Sequence, residues 1–342
     1  MKRQAVVAVA ISLLLLVLFV LTVGWKEVLA AIGRANVRLY MLAFVATLCC
    51  LLCRTLVWHR LLSIVDKPRP YWLVGGLFLT AMFAKYVTPY GQVTSGVGIA
   101  AVVSRYYDSA YEEALAAVVG ADFLNYVPYY TFGSIGFAFV LLVYSPPIDL
   151  SQYAPMAAVI IVAVLLFTAT VWLRHELVLE AFLRLATGLR RVLERIAPDK
   201  ADHFRRENVV TRFEGFYTTL NLVSRDRRAM SIALVYAHVA WLAFAAALYI
   251  SAAAVGTSIP FGVAMAAVAI SKVGFVVPTP GGLGGVEAAL AGALLLLFPM
   301  NSAVALAIAL LYRFATYWFT ILLSGLASIA LTLKDPLPPE AS

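Results

Sequence analysis

Charge is scarce along this chain. Asp, Glu, Lys and Arg make up 13% of its 342 residues, against about 25% in soluble domains. No polar stretch is long enough to fold as an independent soluble domain. His, Cys and carboxylates never gather at metal-ligand spacing, and neither a G-x-S-x-G elbow nor an Asp-rich phosphate motif occurs. No metal, cofactor or catalytic residue is therefore expected. The three cysteines are confined to "CCLLCRT" as Cys49, Cys50 and Cys53, which excludes a disulfide framework and fits small apolar filler in a membrane helix. What abounds is apolar: 63% of residues are hydrophobic and the mean hydropathy is +0.91, as in a polytopic membrane protein.

A spanning helix needs about 20 apolar residues. Full spans are expected near 5–23, 39–57, 114–143, 155–173, 229–254 and 303–333, the third with room to tilt or to break at Pro128. The start, "MKRQAVVAVAISLLLLVLFVLTVG", has a basic head and a long apolar run with no A-x-A site after it, so a retained helix is favoured over a cleaved signal peptide. Two further apolar regions, 72–103 and 259–298, are interrupted at their centres. The arm after Gly91 has about a dozen residues, reaching ~18 Å into a hydrocarbon core ~30 Å thick. Both regions read as helical hairpins that dip in and return, although the arms of the second nearly span. The expectation is an all-α polytopic membrane protein with about six full spans and two broken hairpins. One domain covers 1–342, with 174–228 as a basic amphipathic cytoplasmic insert.

Basic residues set the orientation. Lys2, Arg3, Arg54, Arg60, Lys67, Arg69, Arg105, Lys334 and the twelve Lys/Arg of 174–228 fall on one side, and only Lys26, Arg34 and Arg38 of the 24–38 loop on the other. Both termini are thus expected in the cytoplasm, with the chain in the plasma membrane. Within the insert, "ELVLEAFLRLATGLRRVLERI" reads either as a solvated connector or as an interfacial helix that gathers anionic lipid. The net charge of +8 reflects this distribution and does not point to nucleic acid.

The two interruptions resemble each other. "KYVTPYGQVTSG" and "KVGFVVPTPGGLGG" both carry Thr-Pro-x-Gly, as Thr88-Pro89-Tyr90-Gly91 and Thr279-Pro280-Gly281-Gly282, with Pro278, Gly284 and Gly285 extending the second. Lys85 and Lys272 precede the prolines, and Arg105 and Arg313 follow further on. Two similar broken hairpins entering from opposite sides are the sequence sign of an inverted-repeat transporter. A coincidence of two membrane kinks is the other reading, since the matched core is four residues long. Unwound backbone survives in hydrocarbon only where protein buries it or water reaches it, so each break marks a cavity. The arm from Val286 would offer free N–H groups to a phosphate or carboxylate. "GGLGG" lacks the Gly-Lys-Ser/Thr ending of a nucleotide loop.

A charge at bilayer depth costs about 2.5–3.5 kcal/mol. The candidates are Lys85, Asp122, Lys272, Glu287 and Arg313, with Asn125 and His238 as polar neighbours. Lys272 and Glu287 form either a structural ion pair, a headgroup contact or a proton relay. Arg313 pairs with Glu287 or holds a phosphate through its planar fork. Asp122 and Asn125 share a helix face, for a structural or a functional role. His238 reads as a packing residue. Tyr90, Tyr106, Tyr107, Tyr126, Tyr129 and Tyr130 read as interfacial anchors or packing.

"VVPTPGGLGGVEAAL" resembles the signature of the lysylphosphatidylglycerol synthase transmembrane family, also called flippase-like or UPF0104 proteins. The stretch from "VTPYGQVTSG" to "ADFLNYVP" looks like the family's other landmark in archaeal members, and "LLYRFATYW" matches its final helix. The core carries over at Pro280, Gly281, Gly282, Leu283, Gly284 and Glu287. Many members have Gly-Gly after the first proline, where this chain has "PYGQVTSG". The resemblance implies a domain that moves aminoacylated phospholipid between leaflets, with a separate domain to make the lipid or a glycosyltransferase alongside. Neither of those is recognised in this sequence. The chain is therefore expected to be no enzyme but a translocase of a phosphate-bearing lipid, either a phospholipid or a polyprenyl-phosphate-linked one. Two rivals stand beside it: an accessory subunit of a lipid-modifying glycosyltransferase, and a membrane transferase using Asp122 or Glu287 as base. The expected partners are membrane lipids and a glycosyltransferase or lipid-synthesising enzyme.

Overall fold

The computed structural model describes residues 25–88, 91–107, 109–144, 206–277 and 279–334, with isolated positions between 176 and 187. The expected spans 5–23 and 155–173, Pro89, Pro278 and most of the 174–205 stretch lie outside the described residues. The chain divides into two compact units, Met1–Ile148 with Asp226–Ser342, and Asp149–Arg225. The second unit thus starts before the expected insert.

The described residues of the first unit are helical. α1 is Trp25–Gly33, α2 Val37–Val65, α3 Tyr71–Val87, α4 Gly91–Tyr107 and α5 Tyr111–Tyr144. In the second unit α6 is Arg206–Arg225, polar in sequence, and upstream of it Arg184 pairs with Glu180 one turn away at 2.5 Å. The first unit resumes with α7 Arg227–Ala254, α8 Phe261–Ser271, α9 Gly285–Leu297 and α10 Ser302–Lys334.

Helices α2, α5, α7 and α10 are long and apolar enough to cross a membrane. Three of them start where an Asx side chain accepts from the third residue on: Asn36 from Leu39 N, Asp226 from Ala229 N and Asn301 from Val304 N. Helix α5 runs through Pro128 without breaking and widens into a π-helical turn at Val140–Tyr144. Their outward faces are as apolar as their inward ones. Leu52, Leu142, Val235, Leu326 and Leu333 are all exposed, which suits a hydrocarbon surround.

Small residues bring the helices together. Gly136 of α5 lies so close to α8 that a Cβ there would stand 2.7 Å from Ala266 N. Cys50 of α2 packs on Ala240 and Ala243 of α7. The 24–38 stretch, expected as a loop, holds α1 instead, whose Val28 and Ala31 bury against Leu306 and Ala307 of α10. Two apolar residues one turn apart, on a helix with a polar opposite face, explain why it coils.

The two interrupted regions are pairs of short helices. α3 and α4 have 17 residues each, ~25 Å and short of a ~30 Å core. The arm after Gly91 is longer than the dozen residues expected, because the helix continues through Arg105 to Tyr107. In the second pair α8 tightens into a 3-10 turn over Lys272–Val276, the chain unwinds, and α9 restarts at Gly285.

Candidate functional site

The second break closes on itself. Gly281, Gly282 and Gly284 have φ of 58°, 67° and 79°, a left-handed backbone that only glycine adopts readily. At Gly281 space forbids a side chain as well, since a Cβ would lie 2.0 Å from the Tyr317 ring. The chain thereby folds into consecutive turns. Gly282 N donates to Thr279 O, Leu283 N to Pro280 O and Val286 N to Gly282 O, while Thr279 Oγ1 donates to Leu283 O. Gly285 packs directly on Gly274 of the opposite arm.

Arg313, from α10, fastens this knot. Its Nε donates to Glu287 Oε1 at 2.7 Å, its Nη2 to Gly281 O at 2.8 Å, and its guanidinium carbon lies 4.1 Å from the centre of the Tyr317 ring. Both members of the pair are buried, and Glu287 Oε2 has no partner among the described residues. A π-helical turn, Phe314–Trp318, follows Arg313 and carries Tyr317. The Tyr317 hydroxyl lies 3.2 Å from Pro280 O and 3.3 Å from Tyr86 O, so one side chain reaches both breaks.

The first break is simpler. Thr88 caps α3, its N–H on Ala84 O, and Gly91 N donates back to Thr88 O. A Cβ on Gly91 would stand 2.3 Å from Lys85 O, so glycine is needed for close approach. Lys85 is buried and forms an ion pair with Asp122 of α5.

Of the pairings open to Glu287, with Lys272 or with Arg313, the structure has the second, and Lys272 stands on the far arm among rings: Phe244 at 5.2 Å, Phe275 at 5.5 Å and Trp241 at 5.8 Å. The α9 start is also less open than expected: Val286 N is taken by Gly282 O, and Thr279–Gly284 are buried.

The cavity lies beside the knot. It measures about 290 Å³ and is lined by the half-buried cations Arg54 and Lys272, by Tyr86, Asn125, Tyr126, Tyr129 and Tyr130, and by Met82, Ala240, Trp241, Phe244 and Phe275. Asn125 and Trp241 sit near the middle of α5 and α7, so the cavity is at mid-height of the spans. Tyr126 and Tyr130 are exposed, which opens it to the outside of the unit. Of the predicted polar residues, Asn125 and Lys272 line it, whereas Lys85 with Asp122 and Glu287 with Arg313 form the two pairs.

Arg54 was missed. The positive-side count places it at the membrane surface, but α2 runs on through "HRLLSIV" to Val65, about three turns past it. It therefore lies inside the span, its guanidinium 5.7 Å from the Phe78 ring and its buried Nε without a partner among the described residues. A lone arginine in "CCLLCRTLVW" was the available signal. Tyr126, Tyr129 and Tyr130, read as anchors or packing, turn out to face the cavity. His238 does pack, with Nδ1 on Leu234 O at 2.8 Å and its ring against Phe132.

Residues 5–324 match the family described as Lysylphosphatidylglycerol synthase TM region. A UPF0104 membrane protein of Pyrococcus horikoshii is 23% identical over 336 residues, which cover 95% of this chain and 96% of that one. Spanning helices, a proline-glycine knot locked by Glu287 and Arg313, and a match along nearly the whole length agree: this multi-pass membrane protein belongs to the lysylphosphatidylglycerol synthase transmembrane-region family.

Proposed function

We propose that the protein is a lipid translocase that moves a phosphate-bearing lipid between leaflets and catalyses no covalent step. The observation that carries this reading is a headgroup-sized cavity at mid-height of the spans, walled by rings and bearing Arg54 and Lys272. A polar headgroup crosses hydrocarbon only if protein replaces its water and counter-charge, and midplane sites between broken helices serve this purpose in transporters. The two broken pairs act as halves of an inverted repeat, exposing the cavity to each leaflet in turn. The chain lies in the plasma membrane with both termini in the cytoplasm, in keeping with its basic residues. A lipid-synthesising enzyme or glycosyltransferase supplies the lipid.

The test is leaflet exchange by the purified chain in liposomes holding a headgroup-labelled phospholipid. With a membrane-impermeant quencher outside, signal loss should pass the half that the outer leaflet accounts for, and empty liposomes should stop there. Exchange only after a glycosyltransferase is added would make the chain an accessory subunit. A new covalent product from the purified chain alone would make it an enzyme.

A further inference from the structure

Among the described residues the two fully buried cations each have a carboxylate: Lys85 has Asp122 and Arg313 has Glu287. Arg54 and Lys272 have none among the described residues, and no Asp or Glu lines their cavity. Both rest on aromatic faces, and Arg54 Nε is buried without an acceptor. Such groups at bilayer depth ordinarily pair with another charge or with a carbonyl. Two uncompensated cations facing one cavity leave a place for an anion.

The same walls are hostile to an amine. No carboxylate lines it among the described residues, three of its rings, Trp241, Phe244 and Phe275, already surround Lys272, and the tyrosines Tyr86, Tyr126, Tyr129 and Tyr130 share the space with two positive charges. A second ammonium beside Lys272 and Arg54 meets like charge at short range. Size narrows the ligand further. The ~290 Å³ space lies at the lower edge of the ~300–1,000 Å³ range of small-molecule pockets. That is room for a headgroup but not for acyl chains, and the exposed Tyr126 and Tyr130 leave its edge open.

We infer that Arg54 and Lys272 form the binding site for the phosphate of an anionic, amine-free lipid headgroup, and that an aminoacylated headgroup is rejected. The lipid source rests on the translocase reading; the charge preference rests on the cavity alone.

The experiment is a binding titration of the purified full-length chain in detergent, followed through tryptophan fluorescence, since Trp241 lines the cavity. The probes are short-chain phosphatidylglycerol, its lysyl ester and inorganic phosphate. Phosphatidylglycerol should bind at least tenfold more tightly than the lysyl ester and than inorganic phosphate. Arg54→Gln and Lys272→Gln should each weaken it at least tenfold, whereas Arg54→Lys and Lys272→Arg should stay within threefold of the parent. Equal or tighter binding of the lysyl ester, or unchanged binding by the Gln variants, would overturn the inference. Inorganic phosphate binding as tightly as the lipid would make this a free-anion site and end the lipid assignment. If the Gln variants fail to fold, the comparison of probes on the parent chain still decides. Binding with this preference but without leaflet exchange would overturn the translocase reading alone, and exchange without the preference would overturn this inference alone.

Discussion

The two breaks use one device in opposite senses. In the first, the hairpin brings the cation, Lys85, and the spanning helix after it brings the acid, Asp122. In the second, the hairpin brings the acid, Glu287, and the following spanning helix brings the cation, Arg313. They also differ in exposure. The Glu287 and Arg313 side chains are 2% and 6% exposed, whereas Asp122 is 20% exposed and Thr88 at its turn is open. An ion pair ties an unwound segment to a full-length helix in both, but only the second is sealed. The sealed break bonds its own backbone and leaves little for a ligand. The charges that line the cavity, Arg54 and Lys272, are outside both pairs.

Breaking the sealed pair should have the largest effect. Arg313→Met leaves Glu287 buried without a counter-charge, a loss of about 3–5 kcal/mol read as a large fall in Tm in detergent. Adding Glu287→Gln should restore much of it, and combining Lys272→Met with Glu287→Gln should show no such coupling. Gly281→Ala comes next. A left-handed backbone costs about 1–2 kcal/mol for a non-glycine residue, and the overlap with Tyr317 adds about 1–3 kcal/mol. Its Tm should drop nearly as far, with exchange lost alongside.

The more exposed pair should matter less. Asp122→Asn should cost about 1–3 kcal/mol, so a Tm loss as large as that of Arg313→Met would erase the contrast between the breaks. Tyr317→Phe should be mildest, about 0.5–1.5 kcal/mol for one hydroxyl. It should still speed amide hydrogen exchange at both breaks, because that hydroxyl reaches Tyr86 O and Pro280 O. Faster exchange at one break only would show that they are not linked.

What was legible in advance follows the range of the forces involved. The spans expected at 39–57, 114–143, 229–254 and 303–333 appear as Val37–Val65, Tyr111–Tyr144, Arg227–Ala254 and Ser302–Lys334, because an apolar run of ~20 residues is a local signal. The proline-glycine breaks were equally local. Pairing was legible only in part: Arg313 with Glu287 stood as one of two readings, whereas Lys85 and Asp122, 37 residues apart, were not matched, because spacing alone does not choose among several buried charges. Arg54 escaped notice because the end of α2 lies eight residues beyond the expected span, at the turn before Pro68 that Asp66 caps. Charge counting alone then sends an interior arginine to the surface. The closed knot was missed for another reason. A run of glycines reads as backbone open to a ligand, whereas here positive φ at three of them turns the chain onto its own carbonyls.

The most direct measurement compares Lys272→Gln with Arg313→Met, recording Tm and leaflet exchange on the same reconstituted samples. If paired charges hold the fold and unpaired ones hold the headgroup, Arg313→Met should lose Tm and exchange together, while Lys272→Gln keeps the parent Tm and loses exchange at least tenfold. Exchange at the parent rate in Lys272→Gln, or a fall in step with its Tm, would contradict that division of labour.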